Sequence, residues 1–330
     1  MKLLVTGGCG FIGSNFILRC FEKENDISII NVDALKDGSN LANLKNCNNK
    51  LYSFVKGDIN NKKLMEKLIQ KVDCIINFAA ESHVDRSIEN SIPFIKSNIL
   101  GVHNILEILK KYKKVKFLQI STDEVFGEIL HGKFSEDAAM NPSNPYAATK
   151  ASAEMLVKAY SRTYNLDTII TRSVNNYGPR QFPEKLIPKT IISIIKNKKI
   201  PIHGNGKAKR QWIHVNDNCD AIFKIIKKWK HGQIYNIPGN YESSNLKLVQ
   251  KILKSMNGSE NLINFVSDRP GQDRRYGIES NFLKNNSKFK PKIDSKEGIE
   301  STISWYIENK EWWKNLAFKN ISNPTPWKAK

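Results

Sequence analysis

The chain begins Met1-Lys2-Leu3-Leu4-Val5-Thr6-Gly7-Gly8-Cys9-Gly10-Phe11-Ile12-Gly13, an apolar run that is followed directly by a glycine-rich turn. The amphipathic residues that continue to Phe21 predict a β-strand, a tight turn and an α-helix. Gly7, Gly10 and Gly13 allow the turn, a close approach of a phosphate to backbone N–H groups, and close packing of the helix. Such a turn either binds a dinucleotide or has a purely structural role.

The residue that ends the second predicted strand distinguishes these alternatives. Ile27 to Val32 leads into Asp33, which lies twenty residues after Gly13. An acid at that position binds both hydroxyls of an adenosine ribose and repels a 2′-phosphate. The pattern therefore favours dinucleotide binding. Because no arginine adjoins Asp33, it favours NAD over NADP.

Further strands and helices alternate along the first half of the chain. Leu51 to Val55 precedes Asp58, which either hydrogen-bonds an adenine or is a turn residue. Val72 to Phe78 precedes Ala79 and Ala80, small residues that let a cofactor lie against the backbone. The alternation with short connections predicts an α/β fold with a Rossmann-type doubly wound parallel sheet.

A fifth strand, which begins near Phe117, ends in the polar run Ser121-Thr122-Asp123-Glu124. Ligands of open α/β sheets bind outside the carboxyl ends of the strands, so Asp123 and Glu124 are candidates for an acid and a base. The alternative is a turn with two solvated carboxylates.

Tyr146 and Lys150 stand four residues apart in a predicted helix that runs to about Tyr164, so they share one helical face. A free phenol has a pKa of about 10 and is a poor base at neutral pH, but a neighbouring ammonium favours the phenolate. The same spacing occurs on ordinary surface helices. Behind a dinucleotide-binding fold and a Ser-Thr pair, it favours catalysis.

The composition is typical of a folded protein that binds a small acidic ligand. The 330 residues, 40% hydrophobic and 25% charged, allow a large core. The formal charge of +20 comes mainly from lysines spread along the chain, so we predict no nucleic-acid partner. The five cysteines lack CxxC spacing, and no apolar run is long enough to span a bilayer. We expect a cytoplasmic protein and assign no metal ligands.

The chain resembles the extended short-chain dehydrogenase/reductase family, and more narrowly the nucleotide-sugar 4,6-dehydratases typified by those that act on dTDP-glucose. The resemblance covers nearly the whole chain and rests on TGGCGFIGSN, AAESHVDRSI, STDEVFGE, NPYAATKA, NNYGPRQFPEKLIP, IPIHGNGK, RQWIHV and DRPGQDRRYGI. It implies NAD as the cofactor. The cofactor-binding residues that we infer are Gly7, Gly10, Phe11, Ile12, Gly13, Asp33, Asp58, Ile59, Phe78, Ala79, Ala80, Ser97, Tyr146, Lys150 and Asn176.

The resemblance also implies a reaction, in which dTDP-glucose is oxidised at carbon 4 by NAD, loses water across carbons 5 and 6, and regains hydride at carbon 6. Tyr146 would take the proton of the 4-hydroxyl, Thr122 would orient that hydroxyl, and Lys150 would hold the tyrosine. Glu124 would remove the proton at carbon 5, and Asp123 would protonate the departing hydroxyl. The alternatives are a nucleotide-sugar 4-epimerase, which has no need for the Asp-Glu pair, a dehydratase that acts on UDP-glucose, and a non-catalytic NAD-sensing or nucleic-acid-binding protein.

The substrate side of the site is implied mainly by segments after the sixth predicted strand, Thr168 to Ser173. The residues are Ser82, Thr122, Asn175, Glu184, Lys185, Leu186, Pro201, His203, Arg210, Asn245, Arg269 and Gln272. Lys185, Arg210 and Arg269 can neutralise a diphosphate. Each arginine taken alone is equally typical of a surface ion pair.

Three departures from the family pattern concern the ligands. Gln272 and His203 replace the usual His and Tyr near the nucleotide, so the sequence leaves the identity of the base open. Ala34 to Ser39 replaces the usual Lys-Leu-Thr-Tyr pattern beside the cofactor.

The resemblance implies two interleaved domains and a homodimer. Residues 1–173, with returning segments at about 211–239, would bind NAD. Residues 174–210 and 240–330 would form a smaller α/β substrate-binding domain. The helices of Pro93 to Tyr112 and Tyr146 to Tyr164 would form the dimer contact, and the aromatic residues between Trp305 and Trp327 are interpreted as packing.

Overall fold

The computed structural model describes residues 1–47, 49–283, 289–316 and 325–328, and its largest element is a parallel β-sheet. Its strands are β1 (Lys2–Thr6), β2 (Ser28–Asp33), β3 (Tyr52–Lys56), β4 (Cys74–Asn77), β5 (Lys116–Thr122), β6 (Thr168–Ser173), β7 (Asn175–Tyr177), β8 (Ile200–His203), β9 (Lys209–His214), β10 (Ile234–Ile237), β11 (Tyr241–Ser244) and β12 (Ile263–Val266). Seven strands pair in parallel in the order β10-β6-β5-β4-β1-β2-β3. The predicted doubly wound sheet is confirmed, and its topological switch point, where ligands bind in such folds, lies between β1 and β4.

Helices pack on both faces of this sheet. The described helices are α1 (Phe11–Lys23), α2 (Lys62–Ile69), α3 (Val84–Glu89), α4 (Ile92–Phe94), α5 (Gly101–Leu109), α6 (Pro145–Tyr164), α7 (Leu186–Ile195), α8 (Val215–Lys227), α9 (Asn245–Ser255), α10 (Ser295–Glu308) and α11 (Lys310–Trp313). Of these, α1, α2, α5, α6 and α8 pack on the large sheet, and α7, α9, α10 and α11 pack in the C-terminal part. One core contains Phe16 of α1 and Ile222 of α8, and a second contains Met65 of α2 and Val102 of α5. The apolar stripes of these amphipathic helices therefore face the sheet, which fixes the positions of the loops at its carboxyl edge.

The C-terminal half adds two small sheets. Strands β11, β9 and β7 form one, and β12 and β8 form the other. Tyr177, Ile191 and Trp212 belong to the core of this part, which is the smaller α/β unit expected from the sequence. Helix α8 packs on α1, and β10 pairs with β6 of the large sheet. The predicted domain limits stay a prediction.

The C-terminal aromatic residues contribute to packing. Tyr306 and Trp313 are buried in the core of the smaller unit, and Trp305 and Trp312 pack against it. Trp327 instead has its ring centroid 5.6 Å from that of His203. Within the described ranges, no helix combines the length and the apolar character that crossing a membrane requires.

Candidate active site

A cleft with a cavity of about 290 Å³ opens at the carboxyl ends of the central strands. All of the residues inferred above to bind the cofactor line it: Gly7, Gly10, Phe11, Ile12, Gly13, Asp33, Asp58, Ile59, Phe78, Ala79, Ala80, Ser97, Tyr146, Lys150 and Asn176. They come from loops at the carboxyl edge of the sheet, from β2 and β7, from the first turns of α1 and α6, and from the π-helical turn Ile95–Leu100. The sheet therefore brings together side chains that are distant in the sequence.

The glycine turn has no room for side chains. Gly7 has φ +68, and a Cβ on it would lie 2.7 Å from the backbone of Ala79. A Cβ on Gly13 would lie 2.5 Å from the carbonyl oxygen of Gly7. The backbone N–H groups at the start of α1 thus remain accessible, as an anionic pyrophosphate requires. This cradle fits a dinucleotide.

Asp33 is fixed at the end of β2 and only 4% exposed. Its carboxylate accepts hydrogen bonds from the N–H groups of Cys9 (2.9 Å) and Leu35 (2.8 Å) and from Ser39 Oγ (2.9 Å). The acid and the glycine turn are therefore joined directly. A carboxylate has about four lone-pair sites, so these three bonds orient Asp33 and leave acceptor capacity for a ribose hydroxyl.

Asp58 has several protein partners of its own. It accepts hydrogen bonds from Lys36 Nζ (2.6 Å) and from the N–H and Nδ2 groups of Asn60 (2.9 Å each). Lys36 lies in the segment that departs from the family pattern. Asp58 lines the cleft in this arrangement, and both of its predicted roles stay open.

The two adjacent carboxylates lie in different environments. Thr122 ends β5 and caps a 3₁₀ turn, Asp123–Phe126, by accepting a hydrogen bond from the N–H of Glu124 (3.3 Å). Asp123 is 2% exposed; Oδ1 accepts from Thr122 Oγ1 (3.2 Å), and buried Oδ2 has no protein partner. Burial, and then the charge of Glu124, raise the pKa of Asp123 to about 8. Asp123 is therefore protonated at neutral pH.

Glu124 faces the cleft, whereas Asp123 lies in the wall behind the lining residues. The Oε2 atom of Glu124 lies 3.4 Å from Asn144 Nδ2 and 3.5 Å from the Tyr276 hydroxyl. Tyr276 donates a shorter hydrogen bond to Asp273 Oδ2 (2.6 Å). Since the phenol has one proton to donate, Glu124 keeps an acceptor site that is free for substrate.

Tyr146 and Lys150 occupy the first turns of α6 because Asn144 accepts a hydrogen bond from the N–H of Ala147 (2.9 Å) and Pro145 begins the helix. Both side chains are buried and line the cleft. Burial and then Glu124 raise the pKa of Tyr146, whereas its hydrogen bond with Thr122 lowers it. Burial lowers the pKa of Lys150 to about 8, and its Nζ donates to the carbonyl of Ile120 (2.6 Å).

A second cavity of about 180 Å³ adjoins the first and shares lining residues with it, among them Glu124 and Lys185. Apart from Thr122, which lines the first cavity only, every substrate-binding residue inferred above lines it: Ser82, Asn175, Glu184, Lys185, Leu186, Pro201, His203, Arg210, Asn245, Arg269 and Gln272. All three of the cations named above have protein partners, and Lys185 Nζ donates to the carbonyl of Ser82 (2.8 Å). Arg269 donates to Asp85, and the Arg210 guanidinium lies 4.2 Å from the Tyr276 ring centroid.

The structure adds lining residues that the sequence analysis did not single out. They include Asp85, Gln181, Lys189, Trp212 and Tyr276. Gln181 and Tyr276 lie within segments that carry the family resemblance. Lys189 follows Lys185 by one helical turn, a spacing that predicts a shared face. Asp85 lies within AAESHVDRSI and Trp212 within RQWIHV, which also carry the resemblance, whereas the contact of Asp85 with Arg269, 184 residues away, has no local signal.

A dinucleotide cleft that ends at a Tyr-Lys helix and continues into a cationic cavity defines the class of extended short-chain dehydrogenases/reductases. The family model described as GDP-mannose 4,6 dehydratase matches residues 4–302. The chain belongs to this family, as the resemblance indicated.

Individual relatives match over almost their whole length. The low-salt glycan biosynthesis protein Agl12 of Haloferax volcanii is 44% identical over 312 residues, which are 94% of this chain and 100% of the relative. The dTDP-glucose 4,6-dehydratase of Escherichia coli is 40% identical over 349 residues, with 96% of each chain covered. The crystal structure of dTDP-glucose 4,6-dehydratase from Bacillus anthracis in complex with NAD has a TM-score of 0.90 and 42% identity, and the match covers 96% of this chain and 99% of that one.

Proposed function

We propose that the protein is an NAD-dependent hydro-lyase that converts dTDP-glucose into dTDP-4-keto-6-deoxyglucose. One observation carries this proposal: Glu124 lines the same cavity as Tyr146, and the buried, protonated Asp123 lies directly behind it in the wall of that cavity. Water elimination needs such an acid and base. A 4-epimerase uses neither, which disfavours that alternative.

NAD is held by the glycine turn, Asp33 and the small residues after β4, all of which line the first cavity. Bound NAD would supply the hydride acceptor for carbon 4 of the sugar and, once reduced, the hydride donor for carbon 6. Asp33 binds the adenosine ribose, and its negative charge disfavours a 2′-phosphate.

The protein's part in the first step is to take the proton of the 4-hydroxyl. Tyr146 receives this proton, Thr122 orients the hydroxyl, and Lys150 stabilises the phenolate by its charge one helical turn away. Because burial and Glu124 oppose ionisation of Tyr146, these supporting groups are needed for it to act as a base at neutral pH.

The elimination divides two tasks between neighbouring carboxyl groups. Once carbon 4 is a ketone, the hydrogen on carbon 5 is acidic, and Glu124 removes it. Asp123 donates its proton to the departing 6-hydroxyl, so water leaves, and Glu124 returns a proton to carbon 5 when hydride adds to carbon 6. Burial and repulsion separate the proton affinities of the two groups, which lets one act as acid while the other acts as base.

The second cavity binds the nucleoside diphosphate. Lys185, Arg210 and Arg269 lie around it and neutralise the phosphates. His203, Asn245 and the other lining residues contact the base and the sugar. The smaller unit, residues 174–210 and 240–330, supplies most of this cavity, which supports the proposed division into domains.

The proposal is tested by a panel of sugar donors. Purified protein with NAD is incubated with dTDP-, UDP-, CDP- and GDP-glucose, and the 4-keto product is followed by its absorbance in alkali. We expect turnover with dTDP-glucose to exceed the others. Turnover with UDP-glucose alone would identify the alternative dehydratase, and formation of dTDP-galactose would identify an epimerase.

The pH dependence of turnover follows from Asp123. The raised pKa of about 8 keeps the group protonated below that pH, and the proton is lost as the pH rises through it. Since ionised Asp123 cannot protonate the leaving hydroxyl, kcat is expected to fall roughly tenfold per pH unit above the pKa. Steady-state rates from about pH 6 to about pH 10 measure this limb.

A change of leaving group separates this effect from the ionisation of Lys150, whose pKa is also about 8. A 6-deoxy-6-fluoro donor releases fluoride, which needs no proton. With this donor, the pH profile should keep any decrease of kcat at high pH that Lys150 causes, and it should lose the decrease that Asp123 causes. Identical pH profiles for the two donors would contradict the role of Asp123 as the acid.

We also propose a cytoplasmic homodimer. Ile92, Ile95, Leu100 and Met155 are large apolar side chains with 37–53% exposure, and they lie on or beside the helices expected at the dimer contact. A second copy that covers them would remove an exposed apolar surface. All five cysteines are free, as in proteins of a reducing compartment.

A further inference from the structure

The aromatic cluster of Trp305, Tyr306, Trp312 and Trp313 lies on α10 and α11, at the end of the chain farthest in sequence from the glycine turn. The Trp305 ring centroid lies 5.0 Å from those of Tyr306 and Trp312, in edge-to-face arrangements. Such pairs hold the rings in fixed orientations. The directions of the two tryptophan N–H groups on α11 are therefore defined by packing.

One hydrogen-bond path runs from this aromatic cluster to the glycine turn. Trp312 Nε1 donates to Asn43 Oδ1 (2.8 Å), and Asn43 Nδ2 donates to the carbonyl of Cys9 (2.8 Å). The N–H of Cys9 donates to Asp33 Oδ2 (2.9 Å). Asn43 is 6% exposed and uses both ends of its amide in this path. Cys9 lies between Gly8 and Gly10, within the turn that faces the cofactor.

A second path reaches the start of α1, on the other side of the turn. The Arg180 guanidinium lies 6.0 Å from the Trp305 ring centroid and donates to Asn15 Oδ1 (3.0 Å). Asn15 Nδ2 donates to the carbonyl of Phe11 (2.8 Å). The aromatic cluster thus contacts both sides of the turn through side-chain amides.

We propose that Trp312, through Asn43, holds the glycine turn in its NAD-binding geometry, so that both are positioning residues. This inference rests on the proposed function, because it concerns the affinity for NAD. The turn has no side chains between Gly7 and Gly10 except that of Cys9, and besides its own Gly10 N–H to Gly7 carbonyl bond (3.1 Å), outside groups fix its peptide planes. The Cys9 carbonyl is held by Asn43 and by the N–H of Asn40 (2.9 Å).

The test variant is Trp312→Phe in the full chain, which keeps an aromatic ring and removes the N–H group. Asn43 Oδ1 loses its partner, and the Kd for NAD is expected to rise roughly fivefold, the effect of one lost hydrogen bond. The matched control is Trp313→Phe on the same helix. Its Nε1 donates to the carbonyl of Tyr306 (2.7 Å) inside the aromatic cluster, so the NAD affinity should stay within about twofold of wild type.

Calorimetric titrations with NAD and, separately, with dTDP distinguish positioning from a general loss of structure. We expect Trp312→Phe to change only the NAD value, and Asn43→Ala combined with Trp312→Phe to bind NAD no more weakly than Asn43→Ala alone. Equal losses for NAD and dTDP, an unchanged NAD Kd in Trp312→Phe, or full additivity in the double variant would each overturn the inference. Wild-type protein that fails to bind NAD would overturn the proposed function itself.

Discussion

Phenylalanine in place of Tyr146 is expected to lower kcat for the 4-keto product about a thousandfold, within the range lost when a positioned acid–base group is removed. The ring stays packed, because it meets Phe94 edge to face at a centroid distance of 6.4 Å. Only the phenolic hydroxyl group is lost, and with it the acceptor for the proton of the 4-hydroxyl. Discontinuous assays of the alkaline absorbance measure the rate, and thermal melting measures the fold.

Tyr160→Phe is the matched control for this prediction. It lies on the same helix, and its hydroxyl donates to Glu107 Oε1 (2.6 Å), away from the residues that line the cleft. Its turnover should equal that of wild type. If Tyr146→Phe retained more than about a tenth of wild-type kcat, a different group would have to accept the proton, and the first step as proposed would be wrong.

The fold was predictable because its signals are local. The strand predicted from Thr168 to Ser173 is β6, and the one predicted from Ile27 to Val32 differs from β2 by one residue at each end. Each run is rich in β-branched residues and leads to a polar residue that lines the cleft, Ser173 or Asp33. The ends of such strands can therefore be predicted from the local sequence alone.

The π-helical turn before α5 had no local signal. Its residue Asn98 donates Nδ2 hydrogen bonds to the carbonyl of Glu81 (3.0 Å) and to Thr149 Oγ1 (2.9 Å). Glu81 lies in the loop after β4 and Thr149 lies in α6, and they are 17 and 51 residues from Asn98. An irregular turn that depends on tertiary partners is invisible to periodicity.

The candidate site shows the same division between local and long-range information. The types of residue at the strand ends indicated which side chains carry the chemistry. The protonation of Asp123 did not follow from the sequence, because it depends on how completely the surrounding chain buries the carboxyl group. Tyr276, which lies 3.5 Å from Glu124, is 152 residues away in the chain.

Glu124→Gln is expected to slow the formation of the 4-keto-6-deoxy product by two to four orders of magnitude, the range typical of a lost general base. The amide keeps the size of the side chain and can still contact Asn144 and Tyr276. It cannot accept the proton of carbon 5. Oxidation at carbon 4 does not need that proton, so a keto sugar that still carries its 6-hydroxyl should accumulate in single-turnover experiments followed by mass spectrometry.

Glu128→Gln controls for the loss of a nearby negative charge. This exposed carboxylate accepts a hydrogen bond from the N–H of Arg274 (2.7 Å) and lines neither cavity, so its variant should turn over normally. Exchange at carbon 5 is the decisive measurement. In D₂O the wild-type product should carry deuterium there, because the proton taken by Glu124 mixes with solvent before it returns. Rapid exchange at carbon 5 by Glu124→Gln would assign the base to another residue, and Asp123 would then be the only carboxyl left in the elimination.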